Sequence, residues 1–130
     1  MSQQAIRGAL QTQLLTLGWA DQTAFEGKDF TPTAGTPYQI VNTVFAEPNT
    51  YGVAGAAQER GFFQVTLRYP VLPANGIGPQ TARAEAIRAA FAPVQRFGGV
   101  VKVSRKPEII RMPVDGDRDV TIVRIRFTDR

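Results

Sequence analysis

From Ser2 to Leu17 the apolar residues Ile6, Leu10, Leu14 and Leu17 recur at spacings of four, four and three, with Ala5 and Ala9 beside them. That is one stripe of a 3.6-residue period and predicts an amphipathic helix. Gly18 follows the last periodic residue, where a left-handed cap costs glycine least, and Trp19 can fold back on the helix end. Residues 20–37 hold Gly27, Pro32, Gly35 and Pro37 among several threonines, which predicts an extended, turn-rich connection pinned to the core by Phe25 and Phe30. Tyr38 to Ala46 is rich in β-branched and aromatic types and predicts a strand, with Tyr38, Ile40 and Val44 on one face and Val41 and Phe45 on the other. Phe62 to Tyr69 alternates more cleanly. Phe63, Val65, Leu67 and Tyr69 point to a core, and Gln64, Thr66 and Arg68 point to water.

Between these strands lie residues 47–61, with three glycines, three alanines and no charge from Thr50 to Ala57. The composition predicts a loop, and a loop of that length in a compact domain is unusual unless it has a function or moves. After the Asn75-Gly76 turn, Gly78-Pro79 sets up a second helix, because proline at the first helical position loses no needed donor. Ala84, Ile87 and Phe91 form its narrow apolar stripe, and Pro93 stops it. The remainder reads as strands at 100–104, 109–112 and 120–128, with turns at Arg105-Lys106-Pro107 and Asp115-Gly116. The order helix, two strands, helix, three strands predicts an α+β fold: a single domain over 1–130, a largely antiparallel β-sheet with two α-helices packed on one face. A length of 130 residues suits one core.

Composition narrows the chemistry. There is no cysteine and no histidine, which removes disulfides, thiolate nucleophiles, zinc-type sites and the commonest general base near neutral pH. No catalytic motif appears, so no enzyme, cofactor or metal is expected. No segment approaches the ~20 apolar residues of a membrane span, and Met1-Ser2-Gln3-Gln4 lacks the basic start of a secretory signal. No membrane partner and a cytoplasmic setting are expected. The net charge of +4 is unevenly placed. Residues 1–64 carry 3 basic and 5 acidic groups, and residues 65–130 carry 12 and 6. Such asymmetry fits a nucleic-acid surface, two faces that attract head to tail in an assembly, or simply a solvated basic face.

Asp115, Asp117 and Asp119 alternate like the start of a calcium loop. Val120 and Arg126 stand where such a loop needs its glycine and glutamate, so a hairpin turn is expected. Gly76-Ile77-Gly78 lacks the rest of a phosphate-loop pattern and reads as a turn. Lys102, Arg105, Lys106, Arg111, Arg124 and Arg126 could meet phosphates, but Phe62 and Tyr69 fall on opposite faces of one strand and cannot form one stacking platform. Arg124 and Arg126 do share a face, opposite Val123, Ile125 and Phe127.

Three stretches together resemble a family of small tailed-phage and prophage proteins regarded as tail-terminator-like. They are the first helix ending in Leu17-Gly18-Trp19 with Phe30-Thr31-Pro32 and Gly35-Thr36-Pro37-Tyr38; Glu59-Arg60-Gly61-Phe62-Phe63-Gln64-Val65 leading to Tyr69-Pro70; and Ala82-Arg83-Ala84-Glu85-Ala86-Ile87-Arg88 ending at Phe91 with Gly99-Val100-Val101. The resemblance covers roughly residues 2–103 and carries no catalytic residues. It implies a structural subunit that forms a hexameric ring at the head-proximal end of the tail tube, stops tube polymerisation and presents a head-joining surface. The implied partners are the chain itself, the tail tube protein and a head-completion or connector protein, with passive contact to phage DNA. The implied locations are the host bacterial cytoplasm during assembly and then the virion tail. A different neck or connector protein, or a basic nucleic-acid-binding module, stays open as an alternative.

Two surfaces are expected to matter. Loop 47–61 would be mobile in the monomer and order against a neighbouring subunit through Tyr51, Gly52, Val53, Gln58, Glu59 and Arg60, with Tyr51 and Val53 as apolar contacts. Lys102, Arg124 and Arg126 would line or flank the ring opening where DNA passes.

Overall fold

The computed structural model describes residues 3–32, 35–46, 49–51, 56–58, 60–71, 78–93, 96–98, 101–116 and 118–128. Helix α1 spans Gln3–Leu15 and buries Ile6, Leu10 and Leu14. Its last turn tightens, with Thr16, Leu17 and Gly18 each donating to the carbonyl three residues back, and Gly18 then takes φ 85 as its sequence position suggested. Strand β1 is Thr23–Ala24, β2 is Tyr38–Phe45, β3 is Asn49–Tyr51, β4 is Ala56–Gln58 and β5 is Arg60–Pro70. Helix α2 spans Gly78–Ala90, followed by β6 at Arg96–Phe97, β7 at Val101–Val103, β8 at Glu108–Asp115 and β9 at Arg118–Thr128.

The main sheet has the order β1-β2-β5-β9-β7-β6, with β8 also paired to β9. Every pairing is antiparallel except β1 with β2. Strands β7 and β8 run in turn along the same side of β9, joined by Ser104 N–H to the Arg126 carbonyl at 3.0 Å. They follow one another along β9 with a break at Arg105-Lys106-Pro107, and β6 pairs to the far side of β7.

One face of this sheet is dry. Val41, Phe63, Val65, Leu67, Val101, Val103, Val123, Ile125 and Phe127 form a single cluster with Ile6, Leu10 and Leu14 of α1 and with Ala84, Ile87 and Phe91 near α2. Phe91 lies 6.0 Å from Phe63 and 5.4 Å from Phe97 between ring centroids, the second pair edge-on, as aromatic quadrupoles favour. Each fully buried Leu, Ile or Phe here contributes about 1.5–3 kcal/mol by leaving water. Both helices therefore sit on one face, as expected, and Gln13 of α1 donates to the Ala90 carbonyl at 2.9 Å to tie them together.

Two differences from the sequence reading stand out. Residues 47–61 are not a simple loop: Asn49–Tyr51 and Ala56–Gln58 pair as a small antiparallel hairpin, and Arg60 and Gly61 already belong to β5. Alanine and glycine are weak strand formers, so composition hid a hairpin that register makes plain. The short strands β1 and β6 were also not foreseen, because two residues carry no readable period.

A buried polar knot holds the Leu17-Gly18-Trp19 corner. Arg83 of α2 donates to the Leu17 carbonyl at 2.9 Å and to Gln39 Oε1 at 3.3 Å. Its guanidinium lies 4.2 Å from the Trp19 ring centroid. Gln39, fully buried, donates in turn to Thr23 Oγ1 at 2.9 Å, and the Thr23 hydroxyl donates to the Trp19 carbonyl at 2.6 Å. Trp19 itself adopts φ 71, a left-handed conformation that costs a non-glycine residue about 1–2 kcal/mol. The cation–π contact and the satisfied hydrogen bonds offset that cost. The Tyr69 ring packs 5.7 Å from Trp19, and burial pushes its hydroxyl pKa up, against a smaller opposing pull from Arg83.

At Gly61 a Cβ would collide with the Val44 carbonyl oxygen of the paired strand, whereas at Gly8, on the exposed side of α1, a Cβ meets nothing. Gly61→Ala should therefore lower stability by roughly 2 kcal/mol through strand displacement, and Gly8→Ala should raise it by about 0.5–1 kcal/mol; urea unfolding measures both. A raised folded-state pKa at Tyr69 means that the neutral hydroxyl is favoured on folding. Its stabilisation is complete below the ordinary tyrosine value near ~10 and is lost as pH rises through the folded value. The urea midpoint should fall as pH rises above about 10, and Tyr69→Phe should make that fall shallower.

Candidate assembly and DNA-facing surfaces

Neither α1 nor α2 lies on the second face of the sheet. Alternation fixes its residues: Tyr38, Ile40, Asn42 and Val44 from β2; Arg60, Phe62, Gln64, Thr66 and Arg68 from β5; Val120, Ile122, Arg124, Arg126 and Thr128 from β9; Lys102 from β7 and Arg96 from β6. The two ends of this face differ in how their charges are handled.

At one end charge is stitched internally. Arg68 pairs with Asp115 at 2.8 Å, and that hydrogen bond is the main reason its guanidinium pKa is raised. Arg118, buried, donates to the Thr36 carbonyl at 2.6 Å and lies 5.1 Å over the Tyr38 ring. Behind the sheet, buried Asp119 accepts from Gln80 of α2 and from Arg111, both at 3.3 Å. Asp115 and Gly116 close the β8–β9 hairpin, with Gly116 at φ 64, and Asp115 and Asp119 are engaged by different arginines. Asp117 lies outside the described residues. Arg111 serves this network, so it leaves the group of cations that sequence alone placed together.

At the other end the cations face outward. Register places Arg60, Thr128, Lys102 and Arg96 side by side across β5, β9, β7 and β6. Arg126 and Arg124 follow on β9, opposite Phe62 and Gln64. The Arg124 guanidinium stacks 4.8 Å from the Phe62 centroid and donates to Gln64 Oε1 at 3.2 Å. Arg126 meets Glu108 at 3.3 Å, with both side chains well exposed, so the pair contributes little to stability. The structure thus brings together the expected Lys102, Arg124 and Arg126. It adds Arg60, which sequence had assigned to the loop, and Arg96, which sequence had not grouped. Continuing the alternation of Phe62 and Gln64 back to Arg60 would have found the first; nothing in a two-residue strand signals the second.

The β3–β4 hairpin leaves the sheet at this same end, between Ala46 and Arg60, where Ala46 N–H donates to the Arg60 carbonyl at 2.8 Å. Of the expected interface residues, Tyr51 and Gln58 belong to its two strands and Arg60 is the exposed start of β5. Gly52, Val53 and Glu59 lie outside the described residues. Strand β8, eight residues long, is paired only to β9 among the described residues and exposes Met112 and Val114. Among the described residues no group of acidic side chains is arranged to hold a metal ion, and no helix is long and apolar enough to cross a membrane.

A sequence profile described as phage tail terminator protein matches residues 5–127. The chain belongs to the phage tail terminator family. It is a family of structural proteins, and its members are parts of the phage tail. The match reaches past Ser104 to Phe127, the penultimate residue of β9, so the C-terminal strands, where the sequence resemblance had faded, are included. One solved structure, 24% identical over all of this chain and 96% of its own length, superposes with a TM-score of 0.75, which shows the same fold. No curated protein matches the chain.

Proposed function

We propose that this tail terminator assembles as a closed ring, most simply a hexamer, on the head-proximal end of the completed tail tube. There it stops addition of further tube subunits and offers its opposite surface to a head-completion or connector protein. The single observation that carries the reading is the family match over residues 5–127. The work is done by shape and charge rather than by chemistry on a substrate.

Ring closure requires a heterologous interface, in which one patch of a subunit meets a different patch of the next. The hairpin Asn49–Tyr51/Ala56–Gln58 is suited to be one of these patches, because a two-stranded ribbon of three residue pairs is at best marginally stable without a neighbour to pack on. Residues Tyr51, Gly52, Val53, Gln58, Glu59 and Arg60 are its contact set in this proposal. The edge of β8 with Met112 and Val114, paired on one side among the described residues, is the second patch in this proposal, since such a strand edge invites a further strand. Assembly takes place in the bacterial cytoplasm, and the finished ring resides in the virion tail. A monomer in isolation is compatible with this role, the tube end acting as template.

Electron microscopy of tails assembled with and without the protein tests termination directly. Overgrown or headless tails in its absence, with its density at the head-proximal end in its presence, are expected; normal tails in both cases would reject the role. Hydrogen exchange tests the hairpin. Amides of residues 49–51 and 56–58 should exchange quickly in the free chain and slow on tube binding, and strong protection already present in the free chain would count against an interface role.

A further inference from the structure

We infer that the β3–β4 hairpin of one copy adds as a strand to the open edge of β8, over residues 108–112, in the next copy. Adjacent subunits are then joined by main-chain hydrogen bonds rather than by charge. The inference rests on the ring proposed above and names what its two patches bind.

The hairpin supplies strands in need of a partner. Phe45 faces Gly61 in the last pair of β2 with β5, and Asn49 faces Gln58 in the first pair of the hairpin. Three residues intervene on one strand and two on the other, and one extra residue breaks a ladder as a bulge does. Beyond that break β3 and β4 pair only with each other among the described residues. Strand β9, the other neighbour of β5, ends at Thr128 opposite Arg60, so none of its residues stands opposite β4. Each hairpin strand thus has an outer edge without a partner among the described residues, and three residue pairs hold such a ribbon only marginally.

Strand β8 supplies the complementary edge. It pairs with β9 residue for residue from Glu108 opposite Arg124 to Met112 opposite Val120, and the register shifts before Asp115 meets Arg118. Pro113, within that shift, has no N–H to give. Strand addition is therefore confined to residues 108–112, a stretch longer than either three-residue hairpin strand. The charges on it are already engaged in its own chain, Glu108 by Arg126 and Arg111 by Asp119, both at 3.3 Å. What stays free is the backbone edge and the side chain of Met112, 39% exposed.

The chemistry of both sides selects a second copy. The six paired hairpin residues, Asn49, Thr50, Tyr51, Ala56, Ala57 and Gln58, carry no charge, so neither side is built to hold a polyanion or an acidic surface. Strand addition needs only main-chain groups for affinity, with alternate side chains giving specificity. Every copy carries one hairpin and one β8, so a closed ring fills each edge and leaves none over. A hairpin docked on a tube subunit would leave β8 edges open all round the ring, where they invite uncontrolled pairing.

The chain has no cysteine, so single thiols can be placed without background. Ala57→Cys puts one on β4 and Met112→Cys puts one on the β8 edge. Tails assembled with an equal mixture of these two variants and treated with a short bismaleimide should yield a dimer with one chain of each kind. Either variant alone should yield none, and so should Ala57→Cys mixed with Val71→Cys, an exposed position outside the edge. Tails of normal length without the mixed dimer, or a product joining Ala57→Cys to the tube protein, would overturn the inference and leave termination standing. Hydrogen exchange of the unsubstituted chain gives a second reading that no variant can disturb. Amides of residues 108–112 that exchange freely in the isolated chain should slow by roughly tenfold or more on tail binding, the weight of one added hydrogen bond. Protection of the hairpin with no change at 108–112 would also reject the pairing. Normal tails made without the protein would reject termination itself and this interface with it, a failure read in tail length and not in the crosslink.

Discussion

The eleven-residue ladder between β5 and β9 is the constraint on which the rest of the structure depends. Its register, from Arg60 opposite Thr128 to Pro70 opposite Arg118, sets Phe63, Val65 and Leu67 against Ile125, Val123 and Thr121 on the helix side. A slip of one residue would exchange the two faces completely, turning the core outward and burying Arg124 and Arg126 without partners. Because β2, β7 and β8 all dock on this pair, its register propagates to every other strand but two short ones. The helices then have only one dry face to cover.

Around this ladder, polar side chains fasten the connections that hydrophobic burial alone would leave free. Arg83 holds the corner after α1 by touching Leu17 and Trp19 of that corner and Gln39 of β2. Desolvation lowers the pKa of that guanidinium, and its hydrogen bonds and the indole face make the burial tolerable. Asp119 does the corresponding work at the other end, linking α2 to the edge strand through Gln80 and Arg111.

Function in this family is a matter of surfaces, and the fold distributes them by layer. The helix side is spent on the core, so the exposed sheet face, the β8 edge that is paired on one side among the described residues, and the hairpin at one end are what remains for partners. Charge is paired where the chain needs internal order, at Arg68 with Asp115, and Arg60, Arg96 and Lys102 share a row at the other end. This division lies in the three-dimensional arrangement of ordinary residues, which is why no motif announces it.

Much of this protein was legible in its sequence. The stripe Ile6, Leu10, Leu14 and the alternation of Phe63, Val65, Leu67 and of Val123, Ile125, Phe127 determined two of the main elements and the helical cover, because periodicity is a local property that burial enforces directly. Gly18 at the end of α1 and the turn at Asp115-Gly116 were readable for the same reason, since a positive φ favours glycine wherever it occurs. Only the tertiary structure decided that Asn49–Tyr51 pairs with Ala56–Gln58, that Thr23-Ala24 and Arg96-Phe97 extend the sheet, that Arg111 pairs with Asp119, and that Arg60 and Arg96 join Lys102. Each of those depends on strand register between segments far apart in the chain, and register is fixed by the packing of the whole sheet rather than by any residue's neighbours in sequence.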